Sequence, residues 1–444
     1  MSRTIHTPSI VDRPSTQMES RNYKGYWWLP LSSEDKVSGT LTIHPDGSLV
    51  LELFGGFSLE DEDAIFKKRR LDKIIYGRCY APNGHMKDIT LFECSSSIQL
   101  NFSSNFPITR YTCRYALIGI HVKSQYDPSF FEAHINFDEL AYWCPPMNIT
   151  TSFSDSSITT ILDTNKDHKT LAKLTLNDGI VLNLNQGCSY QTEYPKIFIE
   201  QSTYLEVKKE GLSCQDILST ARKFERFLSL AMLFPVEHGI ITLHSRDCSQ
   251  TMNNGDIHYH PIEFVTFLYK GGEKSLSGIK RPDMLFEFKD VSDRFEVMYN
   301  RFYSNLSIAQ IWSNLIDSLE KKRVFTSNDF LVVAQALDGF AMRFRKELNI
   351  LSELQALKEE FSSIQRLNLT EDDLMKAKDS RNYYSHILKL EKKEQKLVQE
   401  GVNLYDLTRK LRVLLICCVL DFLGFEKDKI NELLNKCNNS LLRN

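Results

Sequence analysis

Several patterns are missing from this 444-residue sequence, and each absence excludes a class of protein. Its ten cysteines include no C-x-x-C pair and no regular disulfide framework, which favours a reducing compartment over a secreted fold. The longest apolar run, VLLICCVL at 413–420, is far shorter than the ~20 residues that span a bilayer. The first twenty residues lack the apolar segment of a signal peptide and are expected to form a disordered tail. We therefore expect a cytoplasmic protein without a membrane segment.

Familiar catalytic signatures are missing as well. The sequence contains no G-x-x-x-x-G-K-[ST] phosphate loop, no G-x-S-x-G nucleophile elbow and no H-E-x-x-H zinc motif. The formal net charge is −3, so the chain as a whole lacks the basic excess of a general nucleic-acid-binding protein. Any RNA site must therefore be a local patch.

The residues before about position 290 show the alternation of β-strands. Apolar and polar residues alternate on both sides of three turn sequences, Asp46-Gly47, Asn83-Gly84 and Asn177-Asp178-Gly179. Each predicts a β-hairpin, because the turn glycine accepts the positive φ that a tight turn requires. One helix, for which Ser213 is a candidate cap, interrupts this region with an apolar stripe of Ile217, Ala221, Phe224, Phe227 and Leu228.

From about residue 292 the apolar period becomes helical. One helix carries a stripe between residues 330 and 344 with Ser327 as its predicted N-cap, and another begins after Thr370 with acidic residues in its first turn. Another long helix has an apolar stripe from 404 to 418 and ends near Gly424. We predict an α+β chain with a disordered tail (1–20), a β-rich N-terminal domain with hairpins and a few helices (21–290), and an all-α helical bundle (291–444).

The pattern of an arginine, four to six residues and a histidine occurs three times. Chance alone supplies it about once or twice in a chain with 11 histidines. The matches are Arg78/His85, Arg114/His121 and Arg381/His386. The first flanks a turn and the second lies along a predicted strand, so both are expected to be ordinary polar residues. The third follows a predicted helix break at Asp379-Ser380, and either of these residues is a candidate cap for a helix that begins RNYYSH.

The third match has the chemistry of metal-free RNA cleavage. Imidazole exchanges protons near neutral pH, and guanidinium binds phosphate oxygens in a planar fork. The 2′-hydroxyl would attack the adjacent phosphate while His386 moves a proton and Arg381 neutralises the developing charge. Because five residues turn a regular helix by about 140°, this pair cannot lie side by side, and a second chain is expected to complete the site. Asn382 shares a face with His386 and is expected to orient the imidazole.

Three neighbouring residues are candidates for substrate binding. Lys376 and Lys378 could contact phosphates, and Tyr383 could stack on a base. The alternatives are a solvated helix face for the two lysines and a place in the core for the tyrosine.

A second cluster offers metal ligands. His244, Cys248, His258 and His260 are enough to bind zinc, but their spacing matches no standard zinc finger. An ordinary loop is the alternative, and we predict no metal for the site at Arg381.

The sequence resembles a known family at several places in the same order. RNYYSH, followed by LRVLLICCVLDFLGF, resembles the R-x4-6-H signature of HEPN domains, in which a polar residue commonly follows the arginine. The N-terminal half, from YKGYWWLP to MLFEFKDVSDRFEVMYNRFY, is similar to the companion domain of the ApeA-type HEPN proteins of bacterial anti-phage defence. The similar stretches extend over roughly residues 23–430.

This resemblance implies a specific function. It implies a metal-independent endoribonuclease without a cofactor, with Arg381, Asn382 and His386 as its catalytic motif. Its HEPN domains would form at least a homodimer that brings two motifs into one cleft. It further implies cleavage of host RNA, with tRNA as one candidate, in abortive infection. The N-terminal domain would then sense a phage-derived trigger or restrain the nuclease.

Two other functions are open at this point. In the first, the bundle is a non-catalytic HEPN interaction or assembly module, and the β-rich domain binds a ligand or partner. The intact motif favours the enzyme, because a scaffold does not need Arg381, Asn382 and His386 together. In the second, the chain is a zinc-dependent sensor built on His244, Cys248, His258 and His260.

Overall fold

The computed structural model describes residues 20–57, 73–97, 108–145, 149–154, 157–162, 169–194, 196–266, 283–320, 325–345, 350–386, 396–439 and 442. The strands are β1 (Arg21–Trp28), β2 (Val37–Ile43), β3 (Leu49–Phe54), β4 (Lys73–Tyr80), β5 (Met86–Ser97), β6 (Ile108–Cys113), β7 (Tyr115–Ile118), β8 (Phe130–Asn136), β9 (Ile149–Ser154), β10 (Ser157–Leu162), β11 (Lys169–Thr175), β12 (Val181–Glu193), β13 (Lys196–Leu212), β14 (Ile241–His244), β15 (Ser249–Thr251), β16 (Ile257–Tyr259) and β17 (Ile262–Thr266). The helices are α1 (Leu140–Trp143), α2 (Cys214–Met232), α3 (Phe295–Ser304), α4 (Leu306–Glu320), α5 (Ser327–Phe344), α6 (Ile350–Glu360), α7 (Glu371–His386), α8 (Gly401–Phe422) and α9 (Lys427–Lys436). This order confirms the predicted α+β class.

Contacts along the backbone divide the chain into two compact units. Unit 1 comprises Met1–His134, Glu210–Gln215 and Gly239–Ser275, and unit 2 comprises Ile135–Lys209, Asp216–His238 and Leu276–Asn444. The predicted domain boundary at 290/291 stays a prediction, and the predicted tail lies outside the described residues except for residue 20.

Six strands of unit 1 close into an antiparallel ring. Their order is β5–β4–β1–β2–β3–β6, and β6 pairs back onto β5. Residues 89–92 of β5 pair with β7, whereas residues 95–97 pair with β6. Glu93, between these two stretches, has a positive φ of 51° and forms an ion pair of 3.2 Å with Arg114. The strand thus changes partner at Glu93, and from β7 the sheet of unit 1 continues through β17 to β14.

The three predicted hairpins are confirmed as β2–β3, β4–β5 and β11–β12. Their turn glycines, Gly47, Gly84 and Gly179, have φ values of 76°, 81° and 82°. A side chain at these positions would be strained, which explains why the turn sequences predicted the hairpins.

The predicted stripe of α2 is buried in unit 2. The helix begins directly after Ser213, as predicted, and the five stripe residues are fully buried, each with 0% exposure. Phe227 packs edge-on against Trp143 and Tyr299, with ring centroids 6.0 and 5.2 Å away. Aromatic packing of this kind contributes beyond the buried area, so α2 and α3 share one core within unit 2.

Two helices of unit 2, α5 and α7, begin at capping boxes. Thr370 caps α7 as predicted, since its hydroxyl accepts a hydrogen bond of 3.1 Å from the Asp373 N–H. The prediction of Ser327 as the cap of α5 is wrong by one residue. Thr326 is the cap, because its backbone is extended and Asp329 lies three residues later to accept its N–H at 2.7 Å.

The C-terminal half of helix α8 is enclosed on all sides. Its predicted stripe is buried, but residues 413–420 are buried on every side, which places α8 in the interior of the helical part of unit 2. It ends close to Gly424, which has a φ of 88° and donates its N–H to the Asp421 carbonyl at 2.8 Å. None of the helices that the structure describes combines the length and apolarity needed to cross a bilayer.

Candidate active site at the end of helix α7

Arg381 and His386 lie in the last two turns of α7, which runs unbroken from Glu371 to His386. The predicted break at Asp379-Ser380 is therefore wrong. Both of these residues are buried, and the Ser380 hydroxyl accepts a hydrogen bond of 2.9 Å from the Gln399 N–H. Ser380 holds a tertiary contact instead of capping a new helix. Because the helix is continuous, the separation of about 140° between Arg381 and His386 applies.

The Arg381 guanidinium is held from two sides. Its Nη2 lies 3.1 Å from Oδ2 of Asp338 on α5, and its Nη1 donates to Oδ1 of Asn382 at 3.3 Å. Its side chain is 24% exposed, and its buried Nε has no hydrogen-bond partner within the described ranges. A planar guanidinium fixed in this way has limited freedom to rotate, and it keeps donor capacity for a ligand.

Asp338 was missed by the sequence analysis. It lies 43 residues before Arg381, and no local spacing connects the two. The only signal is an acid within the apolar sequence of α5, which presents Leu337 and Phe340 to the core. Only the packing of α5 against α7 brings the carboxylate to the guanidinium.

His386 ends α7 and is exposed. Within the described part of the chain, His386 has no hydrogen bond, and the Asn382 amide oxygen accepts from Arg381. The predicted orientation of the imidazole by Asn382 is thus not among the described contacts. An exposed imidazole is free to meet a substrate or a second chain.

Tyr384 anchors the end of α7. Its hydroxyl donates to the Gln399 carbonyl at 2.9 Å, and its ring packs edge-on against Phe330 at 6.3 Å. Burial raises the pKa of Tyr384, so the phenol stays protonated as a donor. Together with Ser380, one turn earlier, it fixes both backbone groups of Gln399, just before α8 begins. These contacts keep the helix end that carries Arg381 and His386 in place.

The three predicted substrate-binding residues have different surroundings. Tyr383 is 37% exposed and its ring lies 5.1 Å from that of Tyr384. Lys376 forms an ion pair of 2.6 Å with Asp372, one turn earlier on the exposed side of α7, and this hydrogen bond raises the pKa of Lys376. Lys378 lies 3.5 Å from Oδ1 of Asp379. A phosphate would have to compete with these carboxylates for both lysines.

The other two arginine–histidine matches have structural roles in unit 1. Arg78 forms an ion pair with Asp88 at 2.7 Å, and Arg114 pairs with Glu93. His121 stacks on Tyr76 with centroids 4.6 Å apart, and its Nε2 lies 2.9 Å from the Gly77 carbonyl oxygen. These partners agree with their interpretation as ordinary polar residues.

The four candidate zinc ligands from the sequence, His244, Cys248, His258 and His260, do not form one cluster among the described residues. Cys248 donates its thiol to the Gly119 carbonyl, and His258 and His260 face each other with ring centroids 5.2 Å apart. Across the described residues, the group that brings three candidate ligand atoms within 4.8 Å of one another consists of Glu132, His134 and His244. His244 was among the candidate ligands found in the sequence, but Glu132 and His134 were not, because strand pairing and not sequence spacing brings them to it.

Two family models match the chain. One, described as ApeA N-terminal domain 1, matches residues 22–302, and the other, described as Apea-like HEPN, matches residues 304–429. Helix α7 and its RNYYSH sequence lie inside the second match. No curated protein matches the chain, and no solved structure does.

Proposed function

Since the chain belongs to the ApeA-type HEPN family, we propose that it is a metal-independent endoribonuclease that cleaves host RNA in the cytoplasm during phage infection. At the level of the family, HEPN domains are generally ribonucleases, and they typically act on RNA as dimers. The observation that carries the proposal is the end of α7, where Arg381 is oriented by Asp338 and His386 is exposed. Transfer RNA is one candidate substrate.

The proposed reaction is a transesterification at phosphorus. The substrate 2′-oxygen forms a bond to the adjacent phosphorus as the bond to the 5′-oxygen breaks, which gives a 2′,3′-cyclic phosphate and a 5′-hydroxyl. One imidazole removes the proton from the 2′-hydroxyl, and a protonated imidazole donates one to the leaving oxygen. The Arg381 guanidinium stabilises the negative charge that develops on the phosphoryl oxygens.

The reaction supports a site that two chains share. One His386 cannot be base and acid in the same step, and Arg381 and His386 point about 140° apart on α7. A second copy of the helix end supplies the missing imidazole, and Asn382 orients Arg381 within each copy. Tyr383 is proposed to stack on a base, and Lys376 and Lys378 to contact flanking phosphates.

The rest of the chain is proposed to control this nuclease. The β-rich N-terminal domain, predicted as residues 21–290, would respond to a phage-derived trigger and release the HEPN domain, predicted as 291–444. This division of labour rests on the family, in which the two domains occur together.

The first test uses the purified full chain and a matched histidine. His386→Ala should lower the rate of RNA cleavage by about 10²–10⁴-fold, the usual contribution of general acid–base catalysis. His85→Ala removes the exposed histidine of an unrelated match and should leave the rate unchanged. RNA ends sequenced from infected cells should carry cyclic phosphates with the wild type and lack them with His386→Ala. Cleavage by His386→Ala at the wild-type rate would refute the assignment.

A second test examines whether two chains share the site. A mixed dimer of wild type and His386→Ala holds a single imidazole, so it should cleave RNA as poorly as the His386→Ala homodimer. When the two chains are mixed at a fixed total concentration, the rate should therefore fall with the square of the wild-type fraction. A rate that falls in direct proportion to that fraction, despite a mixed dimer seen by native mass spectrometry, would contradict a site that two imidazoles share. A wild type that assembles and never cleaves RNA, with or without phage, would support the non-catalytic assembly module.

A further inference from the structure

We infer that Glu132, His134 and His244 of unit 1 form a binding site for a divalent transition-metal cation, with Zn²⁺ as its representative. Glu132 and His134 are two residues apart on β8, so both side chains leave the same face of that strand. His244 is the last residue of β14, which neighbours β8 in the sheet. Two adjacent strands therefore supply the three ligands, and the site is independent of the nuclease proposed for α7.

The three donor atoms already have the spacing of a coordination shell. Nε2 of His134 lies 2.9 Å from Oε1 of Glu132, and Nδ1 of His244 lies 3.3 Å from the same oxygen. Around a cation with bonds of about 2.1 Å, neighbouring ligands are about 3.0 Å apart at a right angle and about 3.4 Å apart in a tetrahedron. The two measured distances fall in or next to this interval, so small rotations of the side chains would admit an ion.

The two imidazole rings of the cluster are not stacked on each other, and their orientation suits coordination of a cation. The imidazoles of His134 and His244 have centroids 5.2 Å apart and planes inclined by 76°. Nδ1 of His244 is buried, and its contact with Glu132 lacks the alignment of a hydrogen bond, so within the described ranges this nitrogen has no hydrogen-bond partner. Burying a ring nitrogen that forms no hydrogen bond costs free energy, because its hydration is lost without compensation. Coordination of a cation would remove that cost.

The donor set selects the class of cation. Two imidazole nitrogens and one carboxylate oxygen suit Zn²⁺ and its neighbours in the first transition row, whereas Ca²⁺ and Mg²⁺ prefer oxygen ligands alone. The three side chains are between 17% and 27% exposed, so an ion can reach them from solvent. With three protein ligands, at least one coordination position stays open to water or an external ligand.

The competing interpretation is a hydrogen-bonded cluster in which Glu132 accepts from protonated rings. Zinc titration of the chelator-stripped full chain separates the two interpretations, followed by competition with a chromophoric chelator. The wild type should bind one Zn²⁺ at this site, and His244→Ala and Glu132→Gln should each weaken that binding at least about 100-fold. The controls His260→Ala and Cys248→Ser, which alter sequence candidates outside the cluster, should bind as the wild type does.

The absorption spectrum of bound Co²⁺ identifies the types of ligand atom. Co²⁺ in this site should show visible ligand-field bands without the near-ultraviolet band of a thiolate–cobalt bond, because no cysteine belongs to the cluster. Circular dichroism of each variant establishes that it is folded, and Glu132→Gln keeps the shape of the side chain. The inference is overturned if the wild type takes up no Zn²⁺, or if folded His244→Ala and Glu132→Gln bind it as tightly as the wild type. It is equally overturned if Cys248→Ser abolishes binding and the cobalt spectrum contains a thiolate band.

Discussion

The end of α7 combines His386 with the Arg381 guanidinium, and the cluster on β8 and β14 combines two histidines with the Glu132 carboxylate. The two regions arrange these groups in opposite ways. Arg381 and His386 are close in sequence and point apart, because a helix turns them away from each other. His134 and His244 are far apart in sequence and converge, because two adjacent strands bring them to one carboxylate. Diverging groups suit a cleft completed by another molecule, whereas converging donors suit an ion. The geometry of the secondary structure thus decides which chemistry the same residue types can perform.

The two regions also differ in exposure. His386 is exposed at a helix end, whereas the ring nitrogen of His244 is buried against Glu132. An exposed imidazole can reach a large substrate such as RNA, and a half-buried one can reach only water or a small ion. This difference predicts that changes in one region leave the function of the other intact.

After His386→Ala, the largest expected effect comes from Arg381→Ala. Loss of the guanidinium should lower RNA cleavage by about 10²–10³-fold, since charge developing on the phosphate loses its stabilising partner. Zinc affinity of the same variant should be unchanged. Arg114→Ala is the matched control, because it removes an arginine from another match together with its half-exposed ion pair to Glu93. An equal fall of cleavage in both variants would show that the loss does not depend on the position of Arg381 at the end of α7.

The next effect concerns the cluster alone. Zn²⁺ at a concentration 100 times its Kd should raise the free energy of unfolding by about 2.7 kcal/mol, because only the folded state holds the three ligands together. Denaturant titration with and without the ion measures this difference, which His244→Ala should abolish. A chelator should reverse the stabilisation and leave the rate of RNA cleavage unchanged. Inhibition of cleavage by the chelator would show that RNA cleavage depends on a bound metal ion, so the two regions would not act independently.

A smaller effect should follow Asp338→Asn. Replacing the carboxylate removes the charged partner that positions Arg381, and a loss of about 1.4 kcal/mol would lower cleavage about tenfold. The fall should appear in kcat rather than KM if Asp338 acts by orienting the guanidinium. Asp338→Glu should recover part of the rate, which a merely structural role would not require. Full activity of Asp338→Asn would show that Arg381 needs no partner on α5.

The smallest effect tests the start of α7. Burial raises the pKa of Asp373, but hydrogen bonds from Lys410 at 2.8 Å and from Thr370 outweigh it, so the pKa is below its usual value. The resulting stabilisation is fully present above the unfolded pKa of about 3.9 and is lost as pH falls through the lowered folded pKa. Asp373→Asn should therefore lower the free energy of unfolding by about 1 kcal/mol at pH 7. Urea titrations at several pH values should show the difference fading in acid; a constant difference would contradict the role of the charge.

Local features of the fold could be predicted from the sequence, and tertiary ones could not. The turns at Gly47, Gly84 and Gly179 were predictable because positive φ selects glycine over a few residues. The apolar stripe of α2 was predictable because its period is set within one helix. The helix break at Asp379-Ser380 was a wrong prediction, since polar residues that resemble a cap are buried here by contacts with a distant segment.

The candidate sites show the same division. The R-x4-H spacing and the family resemblance located Arg381, Asn382 and His386, whose assignment as catalytic residues stays a prediction. Asp338 could not be found, because the packing of two helices brings it to Arg381. Glu132 and His134 could not be connected to His244, because local sequence spacing does not determine which strands are neighbours in a sheet.

The closed ring of strands in unit 1 has a consequence for hydrogen exchange. A strand at the edge of an open sheet can fray, and its amides then exchange with solvent without disruption of the core. Because β6 returns to β5, each of the six strands has a bonded neighbour on both sides. The central amides of these strands should therefore exchange only when the ring opens as a whole. In a deuterium-exchange measurement they should be the slowest of unit 1 and should share one rate-limiting opening.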